Sequence, residues 1–202
     1  MAIKNPQTNP SPKVIRDLRL GVDPGYTNVG LSIIGAREDG SPQLLHSRCI
    51  TAGSAGDLRS FLGATRTTIH EMYDMYPFER WATEVVPVVD NKKTSLHMWF
   101  AAGMLWEVVH GLTNSAPLLV SATTVKRMAK RVLGIPAKEK DYITKKQVEE
   151  AVLRVTEASS RTNHENDATL VALSAFFPKW ITKRDPLNPS NSGPSQGVSI
   201  RA

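Results

Sequence analysis

Residues 18–23 read LRLGVD, and Pro24-Gly25 follows them directly. The apolar residues of this stretch predict a buried strand, and the Pro-Gly pair predicts a turn immediately after that strand. Asp23 therefore stands at the end of a strand, where an unpaired carboxylate would be costly to bury. A turn-capping aspartate is one interpretation of this residue, and a member of a polar site is the other.

Two more strands are expected directly after this turn. Residues 28–34 (NVGLSII) are β-prone, and residues 43–50 are compatible with a third strand that follows an Asp-Gly turn. Three consecutive strands joined by short turns predict an antiparallel meander. Short apolar strands are expected again at residues 81–86 and 118–121.

Five helices are expected between and after the later strands, because apolar residues recur there at helical spacing. They cover residues 57–73, 94–112, 123–133, 144–156 and 163–177. Thr144 with Gln147, and Thr162 with Glu165, fit the capping box that begins a helix. A meander followed by alternating strands and helices predicts an α/β domain, with a mixed sheet flanked by helices.

Acidic residues recur where these elements begin or end. Glu84 lies near the end of a predicted strand, as Asp23 does, and a solvated edge residue is its simplest interpretation. His164 and Asp167 are spaced i, i+3 at the start of the last helix, so both project from one helix face. His164 alone is best interpreted as a solvent-facing residue. Carboxylates that converge from separate elements are typical of Mg²⁺ sites, and two such ions can hydrolyse a phosphodiester.

The composition indicates a globular protein with an anionic partner. The 202 residues are 41% hydrophobic and 22% charged, and the formal net charge is +6. This length and this apolar content fit one domain with a packed core. The charge favours nucleic acid first and an acidic membrane surface second. Most of the basic surplus lies in residues 124–154, although such a run is usually only a solvated face.

Several classes of protein are excluded or disfavoured. The single cysteine, Cys49, excludes an internal disulfide framework and a cysteine-rich zinc site. No apolar run approaches the roughly 20 residues of a membrane span. Residues 1–15 and 183–202 are expected to be a flexible arm and a flexible tail around a folded domain at residues 16–182. The first residues lack the apolar core of a secretory signal, so a cytoplasmic location is expected.

Taken together, these residues resemble the RuvC Holliday junction resolvases. Leu20-Gly21-Val22-Asp23-Pro24-Gly25 is similar to the opening of that family. Similar stretches follow in order: Ala82-Thr83-Glu84, the spacing of Asn91, Leu96 and Gly103, then Leu119 to Lys126, and Asn166-Asp167-Ala168. The resemblance covers most of residues 18–177. It implies an RNase H-like fold with a five-stranded sheet, and a dimeric, metal-dependent endonuclease that cuts four-way DNA junctions symmetrically.

The resemblance also implies roles for single residues. Asp23, Glu84 and Asp167 match the metal-binding acids, which implies two Mg²⁺ ions per active site, with Mn²⁺ able to substitute. His164 stands where many bacterial members have a further aspartate. Its imidazole would act either as a metal ligand, which suits Mn²⁺ better than Mg²⁺, or as a proton carrier. The predicted catalytic set is therefore Asp23, Glu84, His164 and Asp167.

The implied partners are four-way DNA and a second copy of the chain. Lys126 and Lys145 match two lysines that contact DNA, and Lys146 fits the second position equally well. Arg127 and Lys130, from the same basic stretch, complete the predicted DNA-binding set. The helix at residues 94–112 is apolar nearly all round, so it is either central to the core or shared with a second subunit. A branch-migration helicase is a further candidate partner, in a prokaryotic cell or a phage-infected host.

One departure from the family leaves other functions open. Bacterial relatives carry a phenylalanine shortly after the second acid, thought to disturb base stacking, where this sequence has Pro87. The first rival function is an RNase H-like nuclease that acts on flaps, RNA–DNA hybrids or RNA precursors. The second is a junction-binding protein without catalysis, which only the histidine at position 164 favours. An actin-like phosphate binder would need more chain and further Gly-rich loops.

Overall fold

A computed structural model describes residues 16–25, 27–52, 57–86, 92–136, 142–158 and 162–177, without the side chains of residues 92–94. The predicted arm at residues 1–15 and the predicted tail at residues 183–202 lie outside the described residues, as do Pro87 and Asn91.

Five strands form one mixed sheet. They are β1 (Arg16–Pro24), β2 (Asn28–Ala36), β3 (Pro42–Thr51), β4 (Arg80–Glu84) and β5 (Leu118–Val120). Their order in the sheet is β3-β2-β1-β4-β5. The first three strands are antiparallel, whereas β4 runs parallel to β1, and β5 runs parallel to β4. The predicted meander and the predicted five-stranded mixed sheet are both confirmed.

Five helices accompany the sheet. They are α1 (Leu58–Met75), α2 (Lys92–Thr113), α3 (Ala122–Leu133), α4 (Lys145–Thr156) and α5 (Asn163–Phe176). Both predicted capping boxes are present, with Thr144 and Gln147 beginning α4, and Thr162 and Glu165 beginning α5. Ser121, expected in the last strand, instead accepts a hydrogen bond from the Thr124 amide and caps α3. Among the helices described, none combines the length and apolar character needed to cross a membrane.

The sheet separates two apolar clusters. Leu20 and Val22 of β1 pack on the side of α1 and α2, while Ala82 of β4 packs with α3, α4 and α5. Successive strand side chains point to opposite faces, so Gly21 and Asp23 face the side of α5. The sheet thereby directs one strand-end acid toward a helix.

Gly21 lets α5 lie directly against β1. A Cβ atom at this position would be 2.1 Å from the carbonyl oxygen of Ala168 and 2.8 Å from Cβ of Ala172. Distances this short exclude any side chain at the position unless the helix moves. This close approach places α5 next to the carboxyl end of β1, where Asp23 lies.

Candidate functional site

Asp23 and Glu84 lie side by side at one edge of the sheet. Val22 is paired with Thr83 in the parallel register of β1 and β4, and Asp23 and Glu84 are the next residues of the two strands. Ala82 belongs to the cluster on the α5 side, so the alternation of β4 directs Glu84 to that side as well. The two carboxyl groups therefore face α5 together.

The first turns of α5 bring two further groups to these acids. The Nδ1 nitrogen of His164 lies 2.8 Å from Oδ2 of Asp23, and the two side chains are 37% and 16% exposed. A carboxylate can only accept a hydrogen bond, so Nδ1 of His164 is the donor. The other ring nitrogen, Nε2, takes no part in this bond and can bind a metal ion or exchange a proton. Asp167 follows one turn later on the same helix face. The structure thus gathers all four residues of the predicted catalytic set.

The three carboxyl groups and the imidazole perturb one another. Burial, together with the negative charges of Asp23 and Asp167, raises the pKa of Glu84 to about 7. Burial and the charge of Asp23 raise the pKa of Asp167 to about 6, although His164, Lys145 and Lys126 act in the opposite direction. The hydrogen bond to Asp23 raises the pKa of His164. Acids that resist ionisation in this way mark a place where a cation would be stabilised.

The donors at this site fit a hard divalent cation by their chemistry. Asp23, Glu84 and Asp167 supply carboxylate oxygens, the ligands that Mg²⁺ and Mn²⁺ prefer, and His164 adds one imidazole nitrogen. As the side chains stand, no three His, Cys, Asp or Glu residues within the described ranges form a group close enough to hold a metal ion. A cation at this place would offset the mutual repulsion of the carboxylates.

A cleft of about 310 Å³ opens beside the acids. Glu84, Lys126, Lys145 and Asp167 line it, with the first residues of α3, α4 and α5 around them. The free amide groups and the dipole at a helix start favour an anion. The cleft therefore combines carboxylates for a cation with lysines and helix starts for a phosphate.

The predicted DNA-binding residues divide into three groups. Lys126 and Lys145 line the cleft. Arg127 and Lys146 are exposed on the same helices but do not line the cleft. Lys130 is only 6% exposed, which disfavours a direct contact between its side chain and DNA. It lies one turn beyond Lys126 on α3, among the buried residues of that helix.

Helix α2 presents apolar residues on two sides. Leu105, Val108 and Val109 are buried in the core, which agrees with the expected contribution of this helix to the core. The other side exposes large residues at helical spacing: Leu96 54%, Trp99 54%, Phe100 53% and Trp106 45%. An exposed apolar face of this kind is typical of an interaction surface.

Two features of the site cannot be recognised from the sequence. Asn163, the first residue of α5, also lines the cleft, and nothing distinguishes it in the sequence from an ordinary residue of a helix start. Glu165 is the helix cap that the sequence predicts, but its carboxylate also accepts a hydrogen bond from Ser47 of β3. No local pattern could reveal that bond, because 118 residues separate its two partners.

Comparison with known proteins gives a family and a fold. The sequence model of the family described as crossover junction endodeoxyribonuclease RuvC matches residues 19–175. RuvC of Thermus thermophilus, solved in complex with a Holliday junction substrate, superposes with a TM-score of 0.66 at 18% identity, covering 82% of this chain and 96% of that chain. The yeast mitochondrial Holliday junction resolvase Ydc2 gives a TM-score of 0.56 at 14% identity, covering 85% of this chain and 82% of that chain.

At these identities the superpositions show the fold alone, which is the RNase H-like fold of RuvC, as the sequence predicts. A search of curated protein sequences gave no match.

Proposed function

Because the chain belongs to the RuvC family of crossover junction endodeoxyribonucleases, which are metal-dependent enzymes, we propose that it resolves four-way (Holliday) DNA junctions by symmetric nicks. The observation that carries this proposal is the cleft where Glu84 and Asp167 face Lys126 and Lys145. Opposite charges on the two sides of one cleft suit a substrate that is itself anionic but must be attacked beside carboxylates. A phosphodiester bound with a divalent cation meets both conditions.

The basic side of the cleft would bind the DNA backbone. Lys145 is the first residue of α4, where the helix start adds partial positive charge, and Lys126 lies in the second turn of α3. These cations offset the repulsion between the phosphate and the acids, and they make binding sensitive to salt. We therefore assign both lysines to the phosphates around the cleavage site. Arg127 and Lys146, which lie outside the cleft, would contact the backbone further away.

The acidic side would bind the metal. Asp23, Glu84 and Asp167 would hold two Mg²⁺ ions, with Mn²⁺ able to substitute; when bound, the ions supply an activated water and stabilise the leaving oxygen. Asp23 fixes the ring of His164 through Nδ1, as a carboxylate partner commonly does for a catalytic or metal-bound histidine. Nε2 is then available to bind a metal or to carry a proton at the reacting phosphate.

Paired cuts on a two-fold substrate require two active sites, so we extend the proposal to a homodimer. Its support is the exposed apolar side of α2, which includes Trp99 and Phe100. Sedimentation at micromolar concentration is expected to give a dimer, and Trp99→Glu is expected to give a monomer. A wild-type monomer would remove the dimer from the proposal. A helicase partner and a cytoplasmic site of action in a prokaryotic or phage-infected cell rest on the family resemblance alone.

Substrate competition tests the proposed selectivity. A labelled four-way junction is incubated with the protein and Mg²⁺, and unlabelled junction, flap, RNA–DNA hybrid or linear duplex is added in excess. Only the unlabelled junction is expected to suppress cleavage. Equal suppression by a flap or a hybrid would favour an RNase H-like nuclease with other substrates. Junction binding without cleavage in either Mg²⁺ or Mn²⁺ would favour a binding protein.

A further inference from the structure

Glu165 is a buried acid between two residues of the proposed catalytic set, and it is only 4% exposed. Its Oε2 accepts a hydrogen bond from the amide of Thr162 at 2.7 Å, which completes the capping box of α5. Its Oε1 accepts a second hydrogen bond from Oγ of Ser47 at 3.2 Å. The helix cap needs only the bond to Thr162. The bond to Ser47 is not part of the cap and connects α5 to strand β3.

The bond to Ser47 joins the start of α5 to a distant part of the sheet. Ser47 lies in the middle of β3, which is paired through β2 to β1, the strand that carries Asp23. The first turn of α5 is therefore held both at its own cap and on the antiparallel meander. His164, which precedes Glu165 in that turn, must keep its ring within hydrogen-bond distance of Asp23.

Helix capping does not require a buried carboxylate at this position. In α4 the same capping position is occupied by Gln147, a neutral residue that completes an equivalent box. A charged carboxylate without partners would be costly at a buried position, and here two donors satisfy it. Of the two capping boxes in the described helices, the one that places a buried carboxylate is that of α5, which carries His164 and Asp167.

We propose that Glu165 is a positioning residue for the cleavage reaction: by binding Thr162 and Ser47 together, its carboxylate fixes the first turn of α5 so that His164 stays on Asp23. This inference rests on the proposed function only for its effect on cleavage. Glu165 does not line the cleft and takes no direct part in the chemistry. Its effect is exerted through the geometry of its neighbours.

Three variants separate the cap from the link to the sheet. Ser47→Ala removes the link and leaves the capping box intact, whereas Glu165→Ala removes both. Glu165→Gln keeps both contacts, because its amide oxygen can accept from Thr162 and the Ser47 hydroxyl can accept from its amide nitrogen. Asp57→Ala is the matched control, since it removes the cap of α1 on the opposite face of the sheet. Each variant is made in the full chain, and its folding is checked by circular dichroism.

Two measurements follow the position of His164. Single-turnover cleavage at saturating junction is expected to slow about tenfold in Ser47→Ala and on the order of 100-fold in Glu165→Ala, with the junction Kd unchanged. Glu165→Gln is expected to recover most of the rate, and Asp57→Ala to keep all of it. In protein with ¹⁵N-labelled histidine, the Nδ1 signal of His164, assigned with His164→Gln, is expected to shift in Ser47→Ala and in Glu165→Ala only.

The cleavage rate and the His164 signal test the role of Glu165 independently. Wild-type cleavage rates in both Ser47→Ala and Glu165→Ala, or an equal loss in Asp57→Ala, would overturn the positioning role. An unchanged His164 signal in Glu165→Ala would overturn it as well, whatever the activity. If the wild-type protein cleaves no junction, the proposed function fails, and the nuclear magnetic resonance measurement still decides the role of Glu165.

Discussion

Gly30 lies against the main chain of His164, so closely that a Cβ atom on Gly30 would be 2.0 Å from the carbonyl oxygen of His164. Gly30 is also the residue paired with Asp23 across β1 and β2. The start of α5 therefore packs on the sheet at Gly30, directly beside Asp23, the acid that is hydrogen-bonded to His164. A glycine is required here by the space between helix and sheet.

Gly30→Ala is expected to abolish cleavage and to destabilise the fold, because the new methyl group must push the start of α5 off the sheet. Junction cleavage and thermal unfolding measure the two effects. Gly63→Ala is the matched control: Gly63 lies within α1 and a Cβ there meets nothing within 4 Å. That variant should retain full activity and gain up to about 1 kcal/mol of stability from helix propensity. Full cleavage by Gly30→Ala would contradict the close approach.

His164→Ala is expected to lower the cleavage rate by a factor on the order of 10² to 10⁴, the range of a lost proton-transfer group, and to leave junction affinity unchanged. The imidazole adjoins the acids, whereas the phosphate contacts are assigned to lysines. Single-turnover cleavage and an electrophoretic mobility shift in Ca²⁺ separate the two effects. Unchanged cleavage would remove His164 from the site.

The raised pKa values predict how stability depends on pH without metal. Glu84 titrates near 7 and Asp167 near 6 in the folded protein, above their ordinary values of 4.5 and 3.8. Between about pH 4 and pH 7 the folded state thus binds more protons than the unfolded chain, so the stability contributed by these groups falls as the pH rises. His164, whose pKa is also raised, acts in the same direction.

Thermal unfolding in EDTA should therefore give a lower Tm at about pH 8 than at about pH 5.5. Mg²⁺ should raise Tm more at the higher pH, because the ligands must lose their protons to bind it. Glu84→Gln should lose much of the pH dependence. A Tm in EDTA that rises through this window in wild type but not in Glu84→Gln would contradict the assignment of these pKa shifts.

The two cleft lysines should control the salt dependence of binding. Lys126→Ala and Lys145→Ala should each weaken junction binding and reduce the slope of log K against log salt by about 1. Arg66→Ala is the matched control, because Arg66 is exposed on α1 at the opposite face of the sheet. Binding titrations at several salt concentrations measure the slopes. Equal slopes for Lys126→Ala and Arg66→Ala would contradict a phosphate contact at Lys126.

Much of the fold could be predicted from local patterns. The apolar strand ending at Asp23, the capping boxes of Thr144 and Thr162, and the helical periodicities each specify an element without reference to the rest of the chain. The grouping of Asp23, Glu84 and Asp167 followed from their places at element ends together with the family resemblance. These elements can be predicted because their sequence patterns depend on residues that are neighbours along the chain.

Features set by packing between distant elements could not be predicted. Lys130 belongs to the same basic stretch as Lys126, and only the way α3 sits on the domain decides that one is buried while the other faces the cleft. The contact between Gly30 and His164 could not be predicted, because a glycine in a strand does not show which helix packs against it. The bond between Glu165 and Ser47 likewise depends on where α5 lies across the meander.

Junction resolution by this site is tested by strand-mapped cleavage of an immobile four-way junction in Mg²⁺, with the wild-type protein and with Asp23→Asn. Asp23→Asn keeps the size of the side chain while removing the carboxylate that lies beside Glu84 and binds His164. Paired nicks at symmetric positions on two opposing strands are expected for the wild type, and intact junction with normal binding is expected for the variant. Cleavage by Asp23→Asn at the wild-type rate would contradict the proposed site. Unpaired or scattered cuts by the wild type would contradict resolution as its function.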